Sequence, residues 1–376
     1  MDALHLHIIA FDIPYPPLYG GVIDVFYQIK ALSEAGVKVH LHAYEYGKGQ
    51  RSEELEKYCF RVHYYRRRTD WTAAMGKLPY IVASRKSDFM MDNLMKDNYP
   101  ILFEGLHTCY HIDDKRLKGR LKLVRTTNIE HRYYANLALA ERNIIRKIYF
   151  SVASLKLRLY QKVLHNADYI LPVSDADTLY FQTKFPGKEI MTLTCFHGNT
   201  EISHETKRGN CVLFQGNLEV AENEKAAIYL IQKVMHTIDA PFLIAGKSPS
   251  LRLTKIAAKY PNVQIIASPD ETTMAGLIRK ARINLLITFQ ATGLKLKLLN
   301  ALYNSNVIIA NSKMLHGTGL DELCYIADTA QEIRKQIALL IQYDTDIVSG
   351  KTDFRILLER YNNQINTAKL IRLLHN

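Results

Sequence analysis

The chain lacks most of what would staple, anchor or metallate it. Only 5 of its 376 residues are cysteine (Cys59, Cys109, Cys195, Cys211 and Cys324), and no two form a CxxC pair. A disulfide framework and a thiolate zinc site are therefore not expected, and no metal ligands are assigned. No apolar run approaches the roughly 18 residues of a membrane span. The opening MDALHLHIIAFDIPYPP has neither a basic leader nor a small-residue cleavage site. It reads as a first strand, and a cytoplasmic location is expected. No GxGxxG followed by an acidic residue about twenty positions on is present, which argues against a nicotinamide-dependent oxidoreductase. Internal repeats and low-complexity tracts are also missing.

What is present is an ordinary globular composition, 48% hydrophobic and 23% charged, with a net charge of +12. At ~100–200 residues per domain the length suggests two domains. The excess of cations suits nucleic acid, an anionic membrane surface or phosphorylated substrates. Its densest run is YYRRR at 64–68, which reads either as a solvated edge or as a membrane- or acceptor-facing patch. Nucleic acid is not expected as a partner, because the other basic residues are mixed with acidic ones and no base-reading motif occurs.

Short β-rich runs alternate with helical ones along the whole chain. LHLHIIAFD, KVHLHAY, RVHYYRR, PILFEG, LKLVRTT and ADYILPVS read as strands in the first half. CVLFQG, PFLIAG, VQIIAS, INLLITF, NVIIANS and CYIAD do so in the second. Between the first two, Val22, Val25, Phe26, Ile29 and Leu32 recur at helical spacing until Gly36. A single long helical region is expected over roughly 133–166. The fold class is therefore α/β, with two parallel sheets covered by helices. The polar stretch 197–210 reads as a linker between a domain over 1–196 and one over 211–352. Residues 353–376 read as one amphipathic helix.

In open parallel sheets ligands bind on the loops beyond the strand carboxyl ends. After the first strand, Gly20 and Gly21 open a helix, where the missing Cβ atoms and the helix N-terminus favour an anion. His107 follows the PILFEG strand. Gly216, Asn217 and Lys225 follow VLFQG, and Gly246 and Lys247 follow PFLIAG. A further strand end is followed by QATGLKLKLLNALYNSNVIIANS, where Thr292 and Gly293 precede Lys295 and Lys297 in the first turn of a helix expected over 293–304. Asn300 lies at its centre.

Several of these stretches together resemble the GT-B glycosyltransferases, and specifically the retaining family-four group. They are the double glycine, His107, RTTNIEHRYYANLA (similar to an Arg-x-His-Asn-x-Glu motif), VLFQGNL and above all GLKLKLLNALYNSNVIIANS. The resemblance covers nearly the whole chain. It implies two Rossmann-like domains facing across a cleft, with the acceptor held by the first and a nucleotide-sugar donor by the second. The C-terminal helix would cross back to the first domain. The implied reaction moves a sugar to a hydroxyl of a glycan or lipid-linked acceptor, with retention and without a metal, in bacterial cell-surface polysaccharide or glycoconjugate synthesis. The nucleotide-sugar is a co-substrate, and no cofactor is implied. A peripheral contact with the anionic inner membrane is also expected.

In this picture Lys295 and Lys297 meet the leaving diphosphate, and His107 meets the transferred sugar or the reacting oxygen. Gly20, Gly21, Gly216, Asn217, Lys225, Gly246, Lys247, Thr292, Gly293 and Asn300 bind the donor. Four positions depart from the family. Thr292 and Asn300 stand where it carries glutamates, Asn217 where it carries an arginine, and Thr127 where the motif has histidine. They leave open a second reading, a catalytically inactive nucleotide- or partner-binding protein on the same scaffold.

Overall fold

The computed structural model describes residues 3–45, 51–70, 73, 76–141, 143–203, 209–291, 293, 295–305, 307–342 and 353–375. They form two compact units. The first contains the residues through Gly198, Gly293 and the stretch from Glu359 onwards. The second contains Asn199–Ala291 and Lys295–Leu358.

The first unit holds β1 (His5–Ala10), β2 (Lys38–Glu45), β3 (Arg61–Arg66), β4 (Ile101–Glu104), β5 (Lys122–Thr126), β6 (Tyr169–Pro172) and β7 (Glu189–Ile190). They lie in the order β3-β2-β1-β4-β5-β6-β7, and every pairing is parallel. The second unit holds β8 (Val212–Gln215), β9 (Phe242–Gly246), β10 (Val263–Ala267), β11 (Ile283–Leu286), β12 (Ile308–Ala310) and β13 (Tyr325–Ile326). Their order is β10-β9-β8-β11-β12-β13, again all parallel. In each sheet the chain order reverses beside the first strand, between β1 and β4 and between β8 and β11. Loops at such a switch point open a crevice at the strand carboxyl ends.

The strands are buried on both faces because alternate residues serve different helices. On one face of the first sheet Ile8, Leu41, Leu102 and Leu123 pack with Val25 and Ile29 of helix Gly20–Glu34 and with Leu370 of helix Asn363–Leu374. On the other, Ile9, Phe103, Val124 and Ile170 meet Leu157 and Phe181. Each such burial contributes about 1.5–3 kcal/mol.

Two expected helices are broken. The region expected as one helix over 133–166 forms Glu130–Ala140 and then Ile144–Tyr160. Asn143 ends the continuity because its side chain accepts the Arg146 N–H at 3.1 Å as an N-cap. The C-terminal helix is likewise two, Arg355–Arg360 and Asn363–Leu374. There Asn362 caps the Ile365 N–H at 3.0 Å. The YYRRR run is partly open, with Arg66 and Arg68 exposed. Tyr65 is buried, Arg67 donates to Ser84 Oγ at 2.7 Å, and Arg68 pairs with Asp70 at 3.0 Å.

Buried histidines line the amino-terminal end of the first sheet. Asp97 can only accept, so His7 donates from Nε2 to it at 2.8 Å. Neutral His7 then accepts at Nδ1 from His42 Nε2, also at 2.8 Å. His42 Nδ1 accepts from Tyr65 Oη at 2.8 Å, and Asn93 Nδ2 donates to that oxygen at 2.9 Å. Burial drives His7 down to about 4 and His42 well below the ordinary histidine value. Both are therefore neutral, one tautomer each.

Candidate functional site

In the first unit the loops after β1, β4 and β5 bring a polar cluster together at the switch point. Gly105 leaves β4 at φ 77°, and a Cβ there would lie 2.9 Å from His107 Nδ1. The His107 ring stands 5.6 Å from that of Phe11, the residue following β1. Gly21 is held small by the same ring, since its Cβ would come 2.6 Å from Phe11 Cζ. Gly20 is the first residue of the helix. Arg85, fully buried, donates to the Phe11 carbonyl at 2.7 Å. Burial first, then Arg85 and Arg67, push His107 down to about 3, so its imidazole is neutral.

Opposite His107 is a carboxyl that the sequence reading quoted without assigning. Glu130 is 4% exposed, and its Oε2 lies 3.9 Å from His107 Nε2. Burial raises it to about 8, so at neutral pH it is an acid able to donate. Three buried atoms in this cluster have no hydrogen-bond partner: His107 Nδ1, Glu130 Oε1 and Asn128 Oδ1. Buried polar atoms left unpaired mark a place built for a ligand or water. Gly293 meets the same cluster. Its φ is 85°, and a Cβ there would lie 2.8 Å from Asn128 Oδ1. Arg125 of the RTTNIE motif points elsewhere. It is sealed in the core against both carboxylate oxygens of Asp24 and the Thr194 carbonyl, and it tethers helix Gly20–Glu34 to the sheet. Thr127 is buried beside it in sequence, at 8% exposure.

In the second unit the residues converge on β8 and β11. Helix Leu296–Asn304 starts later than expected. Lys295 is its N-cap, and only Lys297 is in the first turn. The Lys297 ammonium lies 3.1 Å from Asn223 Oδ1 and 5.5 Å from the Phe214 ring centre. Burial and neighbouring Lys295 pull it from 10.5 to about 8, while Glu222 opposes the fall. Glu222 Oε1 accepts the N–H groups of Phe289 and Gln290, both at 2.9 Å, and the Thr288 hydroxyl. It thereby fixes the backbone after β11, a role not read from the sequence.

The glycines of this unit are packing residues. A Cβ on Gly246 would lie 1.8 Å from the Gly216 carbonyl oxygen, and one on Gly216 would lie 3.2 Å from the Asn223 side chain. Asn217 spends its Oδ1 on the Glu219 N–H at 3.0 Å. Lys225 stands 4.7 Å over the Phe289 ring, and Lys247 pairs with Glu219 at 3.4 Å. Asn300 accepts from Asn199 at 2.8 Å. Thr292 lies outside the described residues. Beyond β9 and β10, Ser248 and Ser268 both adopt left-handed backbone, at φ 48° and 49°, and Ser248 N–H bonds Ser268 Oγ at 3.2 Å. Strain of this kind in a non-glycine residue tends to be retained at binding loops.

Among the described residues one group has donors close enough to share a metal ion. Ligand atoms of His7, His40 and Asp97 lie within 4.8 Å of one another. They sit at the amino-terminal strand ends and belong to the histidine chain above.

No protein-family model matches the chain. It is 26% identical over 385 aligned positions to an uncharacterized 44.6 kDa protein in the cps region of Klebsiella pneumoniae, with 95% of this chain and 96% of that protein covered. Among solved structures it is similar to TarM, with a TM-score of 0.73 at 10% identity over 100% of this chain and 99% of that one. It is similar to the sucrose-phosphate synthase of Thermosynechococcus elongatus, with a TM-score of 0.72 at 15% identity over 99% of each chain. It is also similar to a UDP-forming α,α-trehalose-phosphate synthase from Burkholderia xenovorans, with a TM-score of 0.62 at 10% identity over 99% and 100%. At these identities the likeness is one of fold, and it runs from end to end. Two all-parallel α/β units of seven and six strands, matched in this way, give the chain the GT-B fold of glycosyltransferases.

Proposed function

We propose that the chain is a glycosyltransferase that moves a sugar from a nucleotide-sugar to a hydroxyl of a glycan or lipid-linked acceptor in cell-surface polysaccharide synthesis. The single observation that carries the reading is Lys297. Its ammonium is drawn into the crevice beside β8 and β11, and the amide oxygen of Asn223 is its nearest hydrogen-bond partner. A half-buried cation without a carboxylate contact is costly unless an anion arrives. A nucleoside diphosphate supplies that anion, and its charge grows as the glycosidic bond breaks. The cation therefore favours the transition state over the ground state. The fold likeness and the relative in a cps region support the same reading.

On this proposal the second unit takes the donor, with its base against the strained loops at Ser248 and Ser268. The first unit takes the acceptor at His107, Asn128 and Glu130. Glu130, protonated at neutral pH, donates a hydrogen bond to substrate oxygen, and His107 in its neutral form accepts one. Transfer proceeds with retention and without a metal. The anomer of the product, read by NMR, tests the first of these claims, and turnover in excess EDTA tests the second. The principal experiment is a thermal-shift screen of sugar nucleotides followed by a transfer assay on the hits. Binding raises the melting midpoint by mass action. If no sugar nucleotide shifts the midpoint and none is turned over, the proposal fails.

One observation favours the inactive reading. Asn217 and Asn300, which stand at charged positions of the family, are already engaged by their own neighbours. Under that reading calorimetry finds a nucleotide that binds, while no sugar is released or transferred.

A further inference from the structure

Helix Ile144–Tyr160 turns an apolar face to solvent. Seven of its 17 residues are large hydrophobics open to solvent: Ile144 (71% exposed), Ile145 (77%), Ile148 (60%), Tyr149 (43%), Val152 (48%), Leu155 (60%) and Leu159 (61%). At about 100° per residue they fill one continuous arc of roughly 140°. The opposite side supplies Ala153 and Leu157 to the core, so the helix is seated on its unit by a narrow strip and turns its more hydrophobic side outward. Soluble surfaces scatter single apolar residues, and a contiguous stripe of this kind marks a contact surface.

The charges say what kind of surface. IIRKIYFSVASLKLRLY carries Arg146, Lys147, Lys156 and Arg158 and no acidic residue. Lys156 donates to the Gly76 carbonyl at 2.7 Å, and the other three are exposed. Lys147 and Arg158 flank one margin of the stripe, and Lys156 lies within it near the other margin. Pairing two copies of the chain through this face would bring Lys147, Lys156 and Arg158 of each together, six cations with no compensating carboxylate on the helix. An anionic lipid surface meets both features at once, taking the apolar side chains between its headgroups and pairing phosphates with the flanking cations. At 17 residues with four cations the helix lies on a bilayer, and no helix among the described residues is long and apolar enough to cross one.

We infer that the outward face of helix Ile144–Tyr160 docks this protein in the plane of an anionic membrane. The inference does not depend on the proposed transferase activity, because none of His107, Glu130 and Lys297 belongs to the exposed stripe.

The test is co-sedimentation with vesicles of equimolar phosphatidylglycerol and phosphatidylcholine against vesicles of phosphatidylcholine alone, at low and high salt. At about fivefold per exposed cation near an anionic surface, Lys147 and Arg158 imply roughly 25-fold stronger partitioning to the anionic vesicles at low salt. Ile148→Ser with Leu155→Ser abolishes binding to both vesicle types, whereas Lys147→Ala with Arg158→Ala removes most of the preference for anionic ones. All four positions are solvent-facing or at the margin, so melting midpoints stay within a degree or two of wild type. Three results overturn the inference: no binding of the wild type, equal binding to both vesicle types, or wild-type binding by the serine variant. If instead light scattering shows a dimer that the serine variant dissociates, the face belongs to a second copy and the lipid assignment is wrong.

Discussion

Replacing Lys297 with methionine should make the protein more stable and less active at once. The stem survives and the cation goes. Folding has drawn the Lys297 ammonium down from 10.5 to about 8. The folded-state value is the lower one, so between these two pH values the unfolded chain holds a proton that the folded chain does not. Stability therefore falls as the pH drops from 10.5 to about 8, and the whole cost is present below 8. At ~1.4 kcal/mol per unit that cost is on the order of 3 kcal/mol. Methionine removes it, leaving Asn223 Oδ1 short of one donor, a loss of about 1 kcal/mol. The net gain of ~1–2 kcal/mol should raise the melting midpoint by about 2–6 °C at pH 7. If the cation serves a departing diphosphate, its removal costs on the order of 2–4 kcal/mol of transition-state stabilisation, or ~30- to ~1,000-fold in kcat/KM. The assays are scanning fluorimetry without ligand and transfer with the best donor from the screen. A lower midpoint would show that Lys297 is structural, and activity within threefold of wild type would remove it from the reaction.

Other substitutions test the remaining site. Glu130, raised by burial to about 8, keeps its proton where the unfolded chain has lost it, so wild-type stability should decline as pH rises from about 4.5 to about 8. Glu130→Gln should flatten that limb by up to ~1.4 kcal/mol per pH unit, and superimposable melting curves would contradict the assignment. Gly246→Ala should destabilise by about 3 kcal/mol or more, because its methyl would run into the Gly216 carbonyl. By contrast Gly276→Ala, in helix Glu271–Lys280 with open space around it, should stabilise by up to about 1 kcal/mol in urea titrations. On acidification His7 and His40, both near 4 and faced by His5, His63, Arg61, Arg120 and Asp97, should cost stability from about pH 6.5 to 4. His40→Phe should make that acid limb shallower in a melting series, and an unchanged slope would count against burial as its cause.

The strands were readable because β-branched and apolar runs of four to eight residues were punctuated by glycine and polar turns. The two helix breaks were not read, although their signals were local. Asn143 and Asn362 sit three and two residues after a helix end, and each caps the next one. Lys295 and Lys297 were read as equivalent. The three-residue difference in where the helix begins makes one a cap and draws the other into the crevice. Glu130 was quoted and passed over because a glutamate at a helix start reads as a solvated first-turn acid. Only the tertiary burial of that turn makes it a neutral donor. The Gly216–Gly246 crossing joins loops thirty residues apart and has no local signature, so both glycines read as room for a ligand. Glu222 was likewise opaque, because its partners at 288–290 are set by the β8–β11 pairing.

The histidine chain on β1, β2 and β3 also has a bearing on how the sheet finds its alignment. Sliding a strand by two residues keeps every side chain on its own face, so the apolar pattern is indifferent to such a slip. The imidazoles are not indifferent. His7 reaches His42, and His42 reaches Tyr65, only when His7 stands beside His40 and Tyr44 beside Tyr65. A two-residue slip would strand buried ring nitrogens at about 1–3 kcal/mol each. The hydrophobic residues bring these strands together, and the histidines tell them where to stop.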